Sequence, residues 1–272
     1  MTTPILVTGG TGTLGRHIVQ QLREAGHPVR VLSRTKRQAS DGVEYLTGDL
    51  ATGHGVEAAV TGVETIIHCA GGPKGDDVKA GQLVAGITKA GTKPHVIYIS
   101  VVGADRTPVV TGIDRAMFGY IAAKRAAEVI LAESGLPWTT LRATQFHDLT
   151  FTTMQAMAKL PIVPVLSGIR FQPIETGEVA ARLVELALSP AQGLVPDLAG
   201  PRVYPMKELV RSYLRATGKH RVTIPMRPRA GLAGPSAMAP TSPPGAPSEN
   251  GPGRTSSPRT RRDSRSRCRR GR

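Results

Sequence analysis

The chain has 272 residues, with 35 Lys and Arg against 20 Asp and Glu, and a formal net charge of +15. Residues 226–272 hold eleven Arg and two acids among many Pro, Gly, Ser and Ala, and they contain no aromatic residue. Such a segment cannot bury enough apolar surface to offset the entropy of ordering it, so we expect a disordered basic tail. Residues 1–225 are long enough to build a full hydrophobic core.

Composition also excludes several classes of protein. No apolar run reaches about 18 residues, and the N-terminus lacks a basic segment followed by an apolar stretch, so we expect neither a membrane span nor a signal peptide. Cys69 and Cys268 are the two cysteines, which excludes a disulfide framework and makes a cytoplasmic protein the expectation. The His residues do not pair at zinc-ligand spacing, so no metal site is predicted.

Short β-branched runs alternate with longer amphipathic stretches through the first half of the chain. We predict strands at residues 5–8, 29–33, 43–46, 65–69, 95–100 and 138–141, and helices at residues 14–25, 54–60, 77–90 and 116–134. This alternation predicts an α/β fold in which helices cover both faces of a parallel sheet.

After Asp148 the alternation loosens. We predict helices at residues 149–159, 177–188 and 206–217, with Thr176 as the N-cap of the second. The expected organisation is a sheet domain at 1–150, a substrate-covering region at 151–225 and the tail at 226–272.

A glycine-rich turn directly follows the first predicted strand. Gly9 allows a tight turn, Gly12 lets the backbone approach a pyrophosphate, and Gly15 lets the next helix pack closely on the sheet. Thr13 and Leu14 lie in the same turn, where the helix N-terminus offers free N–H groups to phosphates. The strand–turn–helix context favours a dinucleotide site on a Rossmann-type doubly wound sheet over a glycine-rich loop without a ligand.

The end of the second strand indicates which dinucleotide is bound. An acid at that place accepts hydrogen bonds from the ribose 2′-hydroxyl of NAD, but here the chain has Arg34 within a basic run. A guanidinium can clamp a 2′-phosphate, and Arg16 is a second candidate for the same group. We therefore predict NADP rather than NAD; a merely solvated basic loop is the alternative.

Tyr120 and Lys124 lie four residues apart on the long predicted helix, which places both side chains on one face. A nearby ammonium favours the phenolate, so we expect Lys124 to lower the pKa of Tyr120 and prepare it for proton exchange with a carbonyl or alcohol.

These motifs together resemble the short-chain dehydrogenase/reductase superfamily. The resemblance rests on the glycine turn, Gly48-Asp49-Leu50, residues 68–71 (HCAG) and the Tyr-x-x-x-Lys pair, in that order. Residues 98–105 (YISVVGAD) and 134–147 (SGLPWTTLRATQFH) are similar to its atypical, NmrA-like branch.

The resemblance implies a role for each matching residue. Asp49 and Leu50 would contact the adenine, Ala70 and Gly71 the adenosine ribose, and Lys124 the nicotinamide ribose, with Tyr120 as the general acid/base. In some relatives the Tyr–Lys helix also packs two subunits together, so a homodimer is an expectation of the resemblance.

The strand-end hydroxyl departs from the family pattern. Many relatives carry the catalytic Ser or Thr at the position that is Val102 here, so Ser100 is the substitute candidate. The chain is expected to be an NADP-dependent oxidoreductase acting on a small carbonyl or alcohol, and a non-catalytic NADP-binding regulator is the alternative. Gln145, Phe146 and His147 follow the sixth strand and should face the substrate pocket.

Two interpretations of the tail remain open. An Arg-rich arm attracts nucleic acid or an anionic membrane by charge alone. Arg, Pro, Ser, Gly and Ala are also what GC-rich DNA encodes out of frame, and hydrophobic periodicity stops abruptly after Pro225. The frameshift interpretation is favoured, so no specific nucleic acid and no membrane are expected as partners.

Overall fold

The computed structural model describes residues 3–39, 42–72, 74–106 and 112–226. The predicted tail at 226–272 lies outside the described residues, apart from Met226. The helices and strands in chain order are β1 (Ile5–Thr8), α1 (Thr13–Glu24), β2 (Val29–Ser33), β3 (Val43–Thr47), α2 (Val56–Val60), β4 (Thr65–His68), α3 (Asp76–Ala90), β5 (His95–Val101), α4 (Gly112–Glu133), β6 (Trp138–Ala143), α5 (His147–Met157), β7 (Ile162–Leu166), β8 (Arg170–Phe171), α6 (Thr176–Ala187), β9 (Gly193–Leu194), β10 (Tyr204–Pro205), α7 (Met206–Ala216) and β11 (Val222–Met226).

Seven strands form the central sheet in the order β3-β2-β1-β4-β5-β6-β9. Every neighbouring pair is parallel, and Thr8 at the end of β1 is level with Leu32 of β2 and His68 of β4. The strand order reverses direction between β1 and β4, which opens a crevice at the carboxyl edge of the sheet. The predicted Rossmann-type α/β fold is confirmed.

Helices cover both faces of this sheet. The alternation within β1 shows the division: Val7 belongs to the core under α1 and α6, and Leu6 to the core under α2, α3 and α4. The α1–α6 contact is tied by Gln21, whose Nε2 donates to the backbone oxygen of Gly177 at 3.1 Å.

A third, smaller core lies beyond the sheet, between α5, α7 and the two-stranded pieces β7–β11 and β8–β10. Met154, Val163 and Val210 are among its buried residues. By contrast, α6 and β9 lie on the main sheet. Residues 151–225, expected as one covering region, are therefore shared between two cores.

One face of the β7–β11 pair is apolar and exposed. In the parallel register Val222 is level with Ile162, Ile224 with Pro164, and Met226 with Leu166, so these six side chains share one side. Val222 is 63% exposed, Ile162 50% and Met226 48%. We call these six residues the outward face.

Element boundaries differ from the predicted ones near α5 and α6. α5 begins at His147, two residues earlier than predicted. Thr176 is the first residue of α6 and Glu175 the N-cap, because the Thr176 hydroxyl donates to Asp148 Oδ2 at 2.8 Å instead of capping the helix. No helix within the described ranges is long and apolar enough to cross a membrane.

Candidate functional site

The turn between β1 and α1 is built around close backbone contacts. Gly9 has φ +74°, and a Cβ there would lie 2.7 Å from the carbonyl oxygen of Cys69. A Cβ on Gly15 would collide with the carbonyl oxygen of Gly9. Both positions therefore require glycine. Gly9 lets the loop after β4 approach the turn, and Gly15 lets α1 begin directly against it.

The N-terminus of α1 is open to an anion. Its N-cap is Gly12, which has no side chain to occupy the free N–H groups, and none of residues 13–16 is acidic. The backbone N–H of Gly12 donates to Gly9 O at 2.9 Å, which closes the turn beneath. The geometry fits a pyrophosphate at the helix N-terminus.

A cavity of about 560 Å³ joins this turn to the middle of α4. The predicted site residues that line it are Gly9, Gly12, Thr13, Leu14, Gly15, Gly71, Ser100, Tyr120, Lys124, Gln145 and Phe146. The cavity thus brings residues of five chain segments to the carboxyl edge of the sheet, next to the crevice between β1 and β4.

Lys124 is buried beside the cavity, 4% exposed. Its Nζ donates to the carbonyl oxygen of Ile99 at 2.9 Å and lies 3.0 Å from Asp76 Oδ2, on the first residue of α3. It also lies 4.9 Å from the centre of the Tyr98 ring and 5.9 Å from that of Tyr120. Burial lowers the pKa of Lys124, and Asp76 opposes that shift.

Tyr120 stands at the mouth of the cavity, 39% exposed as a residue. Burial of its hydroxyl, followed by the negative charge of Asp76, raises its pKa to about 12. The pKa of Tyr120 is therefore raised and not lowered as predicted, because burial and then the charge of Asp76, which is paired with Lys124, outweigh the ammonium.

Ser100 is 2% exposed, and its hydroxyl lies beside the Glu128 carboxylate. Burial raises the pKa of Glu128, but Arg142, then Ser100 and Arg125, bring it below its usual value. Glu128 lies about two helical turns after Tyr120 on α4 and is buried. Ser100, beside Glu128, is therefore more deeply buried than Tyr120. Val102 also lines the cavity, where many relatives carry the hydroxyl.

The predicted adenosine contacts gather at the same sheet edge. Arg34 follows β2 directly and is exposed, and Arg16 is exposed in the first turn of α1. Asp49 follows β3, with its Oδ1 accepting from the Ala51 N–H at 2.9 Å, and Leu50 beside it is buried. Neither arginine lines the cavity, which ends at the glycine turn.

The residues after β4 and β6 are placed differently from one another. Ala70 passes over Gly9, with its backbone 2.8 Å from a Cβ built there, and Gly71 lines the cavity. Gln145 and Phe146 also line the cavity, and Gln145 Oε1 accepts from the Gln172 N–H at 3.1 Å. His147 is exposed at the start of α5 and is not among the cavity-lining residues.

Sequence reasoning missed several residues of the site. Asp76, one residue before the predicted helix at 77–90, pairs with Lys124 from 48 positions away. Val102, Ile121 and Leu149 give the cavity an apolar side. Helical periodicity could have indicated Ile121, three positions before Lys124, but no local pattern in the sequence identifies Asp76.

A protein-family model described as NAD(P)H-binding matches residues 9–190. A ceramide reductase of Caulobacter vibrioides is 30% identical over 70% of this chain and 63% of its own. The chloroplastic protein High Chlorophyll Fluorescence Phenotype 244 of Arabidopsis thaliana is 28% identical over 82% of this chain, which spans 58% of that protein. The NADPH-dependent quinone oxidoreductase of Escherichia coli, solved with NADPH, superposes with a TM-score of 0.68 at 20% identity, covering 82% of this chain and 78% of its own.

Proposed function

Because the chain belongs to the NAD(P)H-binding family, we propose that it is an NADP-dependent oxidoreductase that reduces a small carbonyl compound. The observation that carries this proposal is the single cavity running from the glycine turn to Tyr120 and Lys124. A dinucleotide with its pyrophosphate at the N-terminus of α1 would extend along this cavity toward the tyrosine.

The bound cofactor would supply hydride, and the chain's own residues would handle binding and the proton. Lys124, held by Ile99 and Asp76, would donate its third N–H to the nicotinamide ribose. Tyr120, protonated at neutral pH, would give its proton to the carbonyl oxygen as that oxygen gains negative charge. Ser100, which lines the cavity, would supply a second hydrogen bond.

The cavity wall beyond Tyr120 supports an apolar substrate. Val102, Ile121, Phe146 and Leu149 line it, and Lys124 is its one cationic lining residue among those described. Because that ammonium is paired with Asp76, an anionic substrate group would find no free charge there. A neutral, apolar carbonyl compound fits this wall best.

The preference for NADP would come from Arg34, with Arg16 beside it. Both are exposed and close to the edge where the adenosine ribose of a bound dinucleotide lies in this fold. Arg34→Ala should weaken NADPH binding about tenfold and leave NADH binding within twofold, because only NADPH carries the 2′-phosphate. Arg37→Ala, in the same exposed basic run, is the matched control and should change neither affinity.

The test of the function uses the full chain. We expect calorimetry to detect NADPH binding, and apolar aldehydes and ketones to accelerate NADPH oxidation followed at 340 nm. Tyr120→Phe should keep the NADPH affinity and lose at least about 100-fold in turnover. NADPH binding without turnover of any carbonyl compound would contradict the oxidoreductase and favour the second candidate.

The second candidate is an NADP-binding protein without turnover. Val102 favours it, because the cavity has no hydroxyl at that position and Ser100 lies deeper than Tyr120. This candidate predicts that Tyr120→Phe leaves every measurable property of the NADPH complex unchanged.

A further inference from the structure

Asp76 is the first residue of α3 and is 1% exposed. Its Oδ1 accepts from the backbone N–H of Gly72 at 3.0 Å and from Lys79 Nζ at 3.2 Å, and its Oδ2 lies 3.0 Å from Lys124 Nζ. A carboxylate at a helix N-terminus is an ordinary finding. Because Asp76 is also buried against Lys124, it affects both the hydrogen bonds of that lysine and the ionisation of Tyr120.

The first effect is on the hydrogen bonds of Lys124. An ammonium has three N–H donors, and here Ile99 and Asp76 take two of them. A Cβ built on Gly71, which lines the cavity, would lie 3.3 Å from both Asp76 Oδ2 and Lys124 Nζ. The ion pair is therefore next to the cavity, and the third N–H is the one left for a ligand.

The consequence for Tyr120 is electrostatic, and it depends on all the groups nearby. α4 contributes Lys124, α3 contributes Asp76 and Lys79, and β4 and β5 contribute His68 and Tyr98. Burial, then Lys124, lowers the pKa of His68 to about 3, so its ring is neutral at ordinary pH. Burial raises the pKa of Tyr98, which stays protonated. Asp76 is then the anion that offsets the ammonium nearest to Tyr120.

We propose that Asp76 is a positioning residue that offsets the charge of Lys124 toward Tyr120 and so keeps Tyr120 in the protonated form that carbonyl reduction uses. In reduction the O–H bond of Tyr120 breaks as its proton bonds to the substrate oxygen, and water reprotonates the phenolate. Oxidation of an alcohol requires the phenolate at the start, and Asp76 disfavours that form. The proposal rests on the proposed function for its reaction, but its first test does not need turnover.

The first test measures the ionisation of Tyr120 in the full chain without cofactor. Tyrosine labelled with ¹³C at Cζ gives an NMR shift that follows ionisation, and Tyr120→Phe identifies the signal. In Asp76→Asn the titration midpoint should fall by about one pH unit, because the carboxylate charge that disfavours the phenolate is gone. Asp77→Asn removes an equal charge from the same helix turn without touching Lys124, and it should leave the midpoint in place.

Further variants guard against loss of folding and against a merely structural effect. Asp76→Glu keeps the charge and should keep the high midpoint. If Asp76→Asn does not fold, Asp76→Ser retains an acceptor for the Gly72 N–H and should show the same fall. A midpoint in the neutral variant within 0.3 pH units (about a twofold change in ionisation) of the unaltered chain, or an equal shift in Asp77→Asn, overturns the proposal.

The second test uses activity. The pH above which carbonyl reduction slows should fall by about one unit in Asp76→Asn, since reduction uses the protonated tyrosine. An unchanged pH profile in an active variant overturns the proposal. If no variant turns over, the proposed oxidoreductase fails, and the NMR midpoints still decide whether Asp76 holds Tyr120 in its protonated form.

Discussion

Among the glycines of the turn, Gly12 is the one where an added side chain would clash least with the protein. The same side chain would obstruct a pyrophosphate bound at the turn. Among the described atoms, a Cβ there would meet Gly9 O at 3.3 Å and nothing nearer. Gly12→Ala should therefore fold with a melting temperature within a few degrees of the unaltered chain. We expect its NADPH affinity to fall at least tenfold, because the methyl group occupies the approach of the pyrophosphate.

The control for this substitution is Gly81→Ala on α3, where a Cβ would meet no described atom within 4 Å. It should leave NADPH binding unchanged and stabilise the fold by about 0.5–1 kcal/mol. Calorimetry gives both affinities, and equal affinities for the two variants would show that no phosphate approaches Gly12.

His68 offers a pH-dependent prediction. Its Nδ1 lies 2.7 Å from Thr8 Oγ1, and burial lowers its pKa from 6.5 to about 3. The unfolded chain therefore binds a proton that the folded chain does not between pH 6.5 and 3, so stability falls as the pH falls through that window. Between pH 7 and 5 this one group should cost about 2 kcal/mol.

Urea unfolding of the unaltered chain and of His68→Gln at pH 7 and 5 measures this cost. The variant cannot titrate at this position, so its stability should change less with pH by about that amount. Parallel changes in the two proteins would assign the acid sensitivity to other groups, such as His95, whose pKa burial also lowers.

At this scale the sequence predicted residue types better than it predicted their partners. Gly9, Gly12 and Gly15 were identifiable because their roles follow from a local strand–turn–helix pattern. The pKa shift of Tyr120 was predicted with the wrong sign, because it depends first on burial and then on Asp76, which lies on another helix. Spacing along one helix places two side chains on one face but does not show what a second helix brings to it.

Among the elements, α4 makes the largest polar contribution to the site. Tyr120, Lys124 and Glu128 follow at four-residue intervals, so one face of the helix carries all three. Glu128 is 4% exposed and forms two hydrogen bonds with Arg142 of β6, at 2.8 and 2.7 Å. Arg142 Nη1 lies 2.9 Å from Asp105 in the loop after β5, so one guanidinium joins helix, strand and loop.

Breaking this pair from one side should be more harmful than removing it. Glu128→Gln leaves a buried guanidinium only partly compensated, and we expect a loss of about 3 kcal/mol in the free energy of unfolding. Glu128→Met combined with Arg142→Met should lose less than Glu128→Gln alone, because no buried charge remains. Chemical denaturation of the variants checks this, and a double variant that is the less stable of the two would contradict it.

Six of the seven strands of the main sheet were predictable because each is a short apolar run bounded by turn residues, whereas β9, with two residues, was not predicted. The pairs β7–β11 and β8–β10 were not predicted as sheets, since β8 and β10 have two residues each and too little periodicity to detect. The start of α6 was misplaced by one residue, because Thr176 bonds to Asp148, which is distant in sequence.

At the scale of the whole molecule, the outward face is an exposed apolar surface formed by two neighbouring strands. Four of its members, Ile162, Val222, Ile224 and Met226, are 46% to 63% exposed. Such a surface promotes association in solution. Val222→Thr combined with Ile224→Thr should keep the melting temperature within a few degrees and reduce light scattering at high concentration.

Leu149→Thr combined with Phe151→Thr is the matched control, since these residues are also more than half exposed but lie on α5. It should leave scattering nearly unchanged. Equal effects of the two pairs would assign the association to exposed apolar area in general.

The contact between α1 and α6 has a consequence for synthesis on the ribosome. Gln21 and its partner Gly177 are 156 residues apart, so the helix after the glycine turn is translated long before the helix that covers it. At about 5–20 residues per second, α1 waits roughly 8–30 s with Ile18 and Leu22 uncovered on that side. β9, the last strand of the sheet, leaves the ribosome later still. We therefore expect chaperone binding during this interval to keep the nucleotide-binding half from aggregating before the sheet is complete.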